Sequence, residues 1–225
     1  FNDATHLSGL LTVSLPYVGW GTQFLDADLD GAADLVVVNG HVDDYRDQGG
    51  EYHMLAQCFR NNGRAQFTEL PSGSLGPYFE QKHLGRGLAK LDWNRDGMMD
   101  VVVSNINEPA ALLMNISQTS GHFLEVHLRA TTTARDAIGS VVEVEADGVR
   151  SVKQLLAGDG YQASNERLLH FGLGASETIT TLKVTWPSGR TATFENLPAD
   201  GILNLVEDLP GLYTRNGETT SLPLP

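Results

Sequence analysis

One self-similarity constrains this chain more than any other feature. Residues 19–39 recur, without a gap, as residues 85–105. Gly19, Gly21, Leu25, Asp26, Asp30, Gly31, Asp34, Val36, Val37 and Asn39 return as Gly85, Gly87, Leu91, Asp92, Asp96, Gly97, Asp100, Val102, Val103 and Asn105. A fixed period of this kind marks a repeated supersecondary unit, each copy burying its apolar face against a neighbour. Each copy reads as a strand, an acidic loop and a second strand. Leu35–Val38 and Val101–Val103 are short β-branched runs closed by polar residues, the pattern of buried strands rather than helices. Repeats of this length built from several short strands predict propeller blades.

The two loops are Asp26-Ala-Asp28-Leu-Asp30-Gly31-Ala32-Ala-Asp34 and Asp92-Trp-Asn94-Arg-Asp96-Gly97-Met98-Met-Asp100. Oxygen-bearing side chains stand at positions 1, 3, 5 and 9, with glycine at 6. Calcium takes six to eight oxygen ligands. Alternate residues of a tight loop turn their oxygens inward, and the carbonyls of Ala32 and Met98 offer one more ligand each. The first six positions resemble an EF-hand loop, but an EF-hand places its bidentate acid at position 12 between helices. Here the acid comes at position 9 and leads into a valine-rich strand. The expectation is therefore two structural Ca2+ sites between strands: Asp26, Asp28, Asp30, Ala32 and Asp34 at the first, Asp92, Asn94, Asp96, Met98 and Asp100 at the second. Four carboxylates in the first loop, against three and the neutral Asn94 in the second, predict weaker binding at the second. Two metal-free Asp/Gly turns are the plainer alternative, opposed by the mutual repulsion of so many carboxylates. Magnesium fits less well, because it demands a strict six-ligand shell and keeps its waters.

These loops resemble the FG-GAP/VCBS repeats of integrin-type β-propellers, in which the loop calcium is structural. Phe1–Thr5, and Phe59–Gly63 followed by Phe67-Thr68, resemble the inter-loop segments of that family. The resemblance spans about residues 1–116, too little for a closed ring, so it implies further blades upstream or from a partner. From about Ser117 the texture changes. Leu124–Leu128, Val142–Val144 and Leu182–Trp186 alternate apolar and polar residues, separated by Asp147-Gly148, Gly158–Gly160, Ser188-Gly189 and Asp200-Gly201. Half-buried strands at this spacing predict a small β-sandwich or barrel over residues 117–207. Four strings in order, Arg135–Gly139, Gly158–Tyr161, His170–Gly174 and Trp186–Arg190, resemble the ASPIC/UnbV domain that follows FG-GAP repeats in cartilage acidic protein-like proteins. That resemblance implies an extracellular calcium-binding protein with adhesion or matrix roles. Residues 208–225, rich in Pro, Gly and Thr, read as a tail with little structure of its own. The whole is an all-β chain: a partial propeller, then a sandwich or barrel, then a tail.

The net charge of −13 excludes a nucleic-acid partner held by phosphate contacts and suits a cation binder. A single cysteine, Cys58, allows no intramolecular disulfide and no cysteine zinc site; it reads as a buried apolar residue. These features point to a bacterial periplasmic, surface or secreted protein without a membrane span. With Phe1 in place of an initiator Met and no leader pattern, the chain reads as an excerpt or a processed product.

No constellation for catalysis stands out. Gly158–Ala163 matches a loose dinucleotide fingerprint but precedes no helix. Ser72-Gly-Ser74 lacks a nucleophile elbow, and His-Glu-x-x-His is absent. His170 reads as a structural histidine, Arg135-Asp136 as a local turn and Trp186 as core. The segment between Asn39 and Asn61 is longer than its counterpart between Asn105 and Asn115. It carries His41, Asp43, Asp44, Tyr45, Arg46, Asp47, Glu51, Tyr52 and His53, and inserted loops often carry function. A partner-binding loop, a second metal site at His41, Asp43 and His53, or a plain solvated loop all fit. The favoured reading is a non-enzymatic calcium-binding module with a protein or glycan partner. An accessory subunit of a larger enzyme or electron-transfer assembly, and a glycan-acting enzyme, are the alternatives.

Overall fold

A computed structural model describes residues 2–119 and 121–223; Phe1 of the Phe1–Thr5 string lies outside them. The first half forms two antiparallel meanders. β1 (Gly19–Leu25), β2 (Asp34–Asn39), β3 (Gln57–Asn61) and β4 (Phe67–Glu69) make a four-stranded sheet, and β5 (Gly85–Leu91), β6 (Asp100–Asn105) and β7 (Ala111–Leu113) a three-stranded one, each in sequential order. The repeat extends to register. Gly19 pairs with Asn39 and Thr22 with Val37; Gly85 pairs with Asn105 and Leu88 with Val103. Both ladders shift register at the same point. The Gly-x-Gly strings span the shift, and a side chain on Gly21 would strike Leu88 and one on Gly85 would strike Val38. Glycine thus allows the two sheets to meet closely. Leu25, Val36, Val38, Cys58, Phe79, Leu88, Met99, Val101 and Val103 form one core between them. Cys58 is buried, as expected, and burial pushes its thiol up to about 12.

The second half is a two-layer sandwich rather than a barrel. β8 (His122–Arg129), β9 (Val141–Ala146), β10 (Val149–Gln154), β11 (Leu169–Gly174), β12 (Thr178–Thr185), β13 (Thr191–Pro198), β14 (Gly201–Val206), β15 (Leu212–Arg215) and β16 (Glu218–Ser221) follow in chain order. One sheet runs β10-β9-β12-β13, the other β11-β8-β14-β15-β16. Only β14 with β8 pairs in parallel among the described strands. Inward residues of both sheets, including Leu124, Val126, Val142, Val144, Phe171, Leu182, Val184, Trp186, Phe194 and Leu203, share one core, as alternating strands of a sandwich require.

Residues 208–225, expected as a tail with little structure of its own, carry two strands. β15 and β16 form a hairpin that extends the second sheet beyond β14. Tyr213 explains it: the side chain is buried in the sandwich core and its hydroxyl donates to the Pro198 carbonyl. Pro210 and Gly211 precede the hairpin and Gly217 lies in its turn, while Thr214, Thr219 and Thr220 lie in its strands. No helix of the described residues is long and apolar enough to cross a membrane.

Candidate metal centre at the acidic loops

Each acidic loop connects the paired strands of its repeat and is wired by its own aspartates. In the first, Asp26 Oδ1 accepts from Asp30 N (3.1 Å) and Oδ2 from Gly31 N (2.8 Å), while Asp30 Oδ1 accepts from Ala32 N (2.8 Å). Asp34 Oδ2 accepts from Ala27 N (3.2 Å), and its Oδ1 reaches the next strand at Asn61 N (2.8 Å). The second loop repeats the scheme atom for atom. Asp92 accepts from Asp96 N (3.3 Å) and Gly97 N (2.9 Å), Asp96 from Met98 N (2.8 Å), and Asp100 from Trp93 N (2.9 Å) and Asn115 N (2.7 Å). Leu29 and Arg95, at equivalent positions, share a positive φ near 60°, as do Gly31 and Gly97 at 90° and 84°. The left-handed turn at position 6 is what selects glycine there.

Electrostatically the loops are under tension. Asp26, Asp34, Asp92 and Asp100 are buried. Burial first, then the charges of Asp30 and Asp28, push Asp26 up to about 6 against the Gly31 N–H. Burial raises Asp34 as well, and burial together with the Glu125 carboxylate raises Asp92 to about 6. Asp26, Asp28 and Asp30 bring one carboxylate oxygen each within 4.8 Å of one another, the one such His/Cys/Asp/Glu cluster among the described residues. Asp28 Oδ1 is buried without a hydrogen-bond partner. A hard cation fits this oxygen set, because it alone neutralises the cluster while satisfying the orphaned oxygen. Arg60 Nη2, 2.5 Å from Asp28 Oδ2 and 3.9 Å from Asp30 Oδ2, supplies partial compensation from outside. In the second loop Asn94 Nδ2 donates to Asp96 Oδ2 at 2.7 Å, so the amide takes up part of the charge there.

The sandwich closes over both loops. Gly174 N donates to Leu29 O (2.9 Å), His170 Nε2 donates to Gly97 O (2.8 Å), and Thr119 Oγ1 donates to Asp28 O (2.5 Å). A side chain on Gly97 would run into the Phe123 ring, and one on Gly172 into the Asp26 carboxylate. His170 is thus a buried structural histidine, held neutral at about 4 chiefly by burial. Glu166 accepts from Asp92 N (3.1 Å) and pairs with Arg95 (2.6 Å), and Asn165 accepts from Lys90 N (2.9 Å).

Several contributors were not among the expected ligands. Asn61 and Asn115 each fix the loop's last aspartate, Asn61 Nδ2 donating to Ala33 O and Asn115 Nδ2 to Ala27 O, both at 2.9 Å. Their equivalence was visible as an asparagine at the end of the next strand in the first copy and just beyond it in the second. Asn165, Glu166 and Glu125 come from the other half, and no local pattern marks them. The metal site at His41, Asp43 and His53, one of three readings of the insertion, is not assembled. His41 Nδ1 accepts from Asp43 N, Asp43 bonds Tyr45, and His53 faces Glu108 at 3.7 Å, beside His83 on the same carboxylate. Gly158–Ala163 is irregular chain and Ser72–Ser74 a single 3-10 turn.

Comparison with known proteins agrees with this architecture. The FG-GAP-like repeat model matches residues 26–103, and the ASPIC and UnbV model matches residues 130–209. The chain thus carries a match to an FG-GAP-like repeat followed by a match to ASPIC and UnbV. Cartilage acidic protein 1 of Homo sapiens is 26% identical over 204 residues, covering 89% of this chain and 29% of the human protein. The Xenopus tropicalis protein of that name is 29% identical over 166 residues, 72% of this chain and 25% of its own length. The chain spans less than a third of the curated relatives it matches. The FG-GAP-like match runs from Asp26 through Val103 and takes in both acidic loops; the ASPIC/UnbV match ends at Leu209, before the β15–β16 hairpin.

Proposed function

We propose that this chain is an extracytoplasmic, non-enzymatic binding or scaffold module whose two acidic loops each hold a structural calcium ion. The observation that carries the reading is the atom-for-atom repetition of the loop scaffold together with the clustered Asp26, Asp28 and Asp30 carboxylates. The ligands are Asp26, Asp28, Asp30, the Ala32 carbonyl and Asp34 at the first loop, and Asp92, Asn94, Asp96, the Met98 carbonyl and Asp100 at the second. Asp34 and Asp100 already accept two backbone hydrogen bonds each. Each carboxylate oxygen retains a further lone pair, so clamping the next strand and ligating the ion are compatible roles. The ion's work is to hold a strand pair, the following strand and the overlying sandwich in one arrangement. Extracellular calcium modules operate at affinities of roughly 10⁻⁴–10⁻³ M, which suits a site outside the cytoplasm. The repeats are taken to occupy residues 1–116 and the ASPIC/UnbV domain to begin at 117. A protein or glycan partner is the corresponding expectation, with the exposed 41–53 insertion as its contact.

Isothermal titration of the metal-free chain with calcium tests this. Two sites are expected, falling to one with Asp28→Asn/Asp30→Asn and to one with Asp92→Asn/Asp96→Asn. Full calcium binding by the fourfold variant would remove the loops as the sites.

A further inference from the structure

Glu125 lies on β8 of the sandwich, with 0% exposure and neither carboxylate oxygen in a hydrogen bond. His127 Nε2 stands 3.7 Å away, beyond hydrogen-bond range. A carboxylate buried without a donor is costly, and its neighbourhood raises the cost. Glu125 is the register partner of His170, which bonds the Gly97 carbonyl, while the Gly97 N–H bonds Asp92. The Glu125 side chain therefore enters the second acidic loop and meets the Asp92 carboxyl, itself 1% exposed. Two buried carboxylates facing each other repel unless a positive species lies between them.

The sandwich meets the first loop differently. There it presents Gly172 to Asp26, and the nearby charged side chains, Lys153 and Arg60, are cations. The second loop carries one carboxylate fewer, Asn94 standing where the first has Asp28. Glu125 restores the count to four.

We propose that Glu125 is a ligand of the cation held by the second acidic loop, so that the ion bound there draws its oxygens from both halves of the chain. This rests on the calcium reading above. A proton shared with Asp92 is the competing solution, but one O–H satisfies one Glu125 oxygen and leaves the other bare. A divalent cation between the two carboxylates relieves their repulsion and can satisfy both Glu125 oxygens. The second site is then no weaker than the first, contrary to the ranking by loop composition alone.

The test is calcium calorimetry on the full chain carrying Asp28→Asn/Asp30→Asn, which leaves the second loop to report, with and without Glu125→Gln. The expected result is one site whose affinity falls about tenfold or more with Glu125→Gln. In EDTA the same substitution is expected to raise the melting temperature, because the new amide can donate to Asp92. A purely structural Glu125 would not produce these opposite signs. Affinity unchanged within about twofold overturns the proposal, including the case in which only the EDTA melt rises, which assigns the pair to a proton. Absence of any site before Glu125 is altered overturns the calcium reading of the second loop itself. Should the Gln variant fail to fold, Glu125→Asp keeps the charge but withdraws it by one methylene, and the same loss of affinity is expected.

Discussion

Gly31 and Gly97 hold the same positive-φ turn, yet their surroundings differ. A Cβ at Gly31 would meet one carbonyl at an ordinary 3.6 Å, whereas at Gly97 it would overlap the Phe123 ring. Gly31→Ala is expected to cost the backbone strain alone, about 1 kcal/mol. Gly97→Ala adds displacement of the ring, bringing it to about 2–4 kcal/mol, and urea melts of the two variants compare them. Glu207 is a second residue whose chemistry is decided by its neighbours. Burial alone would raise its carboxyl, but the Ser188 hydroxyl (2.5 Å) and the Thr131 and Thr132 donors (2.9 and 3.1 Å from their N–H groups) outweigh it and hold it down at about 2. A depressed carboxyl contributes stability in full above its unfolded value of about 4.5, and that contribution is lost as pH falls toward 2. Glu207→Gln should therefore lower the melting temperature at pH 7, by about 1–3 kcal/mol of stability. The difference from the parent should shrink between pH 4.5 and pH 2.5. A difference that persists at pH 2.5 would assign the effect to packing.

At the scale of elements, what the amino-acid sequence disclosed was what local chemistry dictates. Paired valine runs, acidic loops and glycine turns lie within a few residues of one another, so the 66-residue offset foretold the strand pairs and the turns. It did not disclose what arrives from far along the chain. Glu125, Asn165 and Glu166 reach the loops only because β8, β11 and the segment before it fold back over the blades, and no periodicity encodes that approach. The β15–β16 hairpin escaped for a related reason. Its outward residues are mostly Thr, Glu and Arg, as on any exposed edge, and Tyr213 is its one fully buried large side chain. Tyr213→Ala is expected to cost about 3–5 kcal/mol, the range for removing a buried aromatic, measurable by chemical denaturation. A cost below 1 kcal/mol would mean that the hairpin is dispensable.

Across the whole molecule, the repeats and the sandwich are joined by polar groups rather than by a broad apolar seam. Gln23, Asn165, Glu166, Lys90 and His170 link one half to the other, and Leu168 alone adds a sandwich-side residue to the repeat core. Such a joint is sensitive to the charge left in the loops. Ion binding relieves that charge and adds stability as the logarithm of calcium over its dissociation constant, about 2.7 kcal/mol per site at a hundredfold excess. Arg60 competes for the first loop's charge, so Arg60→Ala is expected to tighten calcium binding there by a few-fold in calorimetry while lowering stability in chelator; unchanged affinity would place the guanidinium outside the site's electrostatics. The most direct test of the central claim is a pair of thermal melts of the intact chain, one after exhaustive chelation and one across a calcium series. The melting temperature is expected to be lowest in chelator and to climb with the logarithm of calcium concentration. A melt that is the same in chelator and in millimolar calcium would contradict that claim.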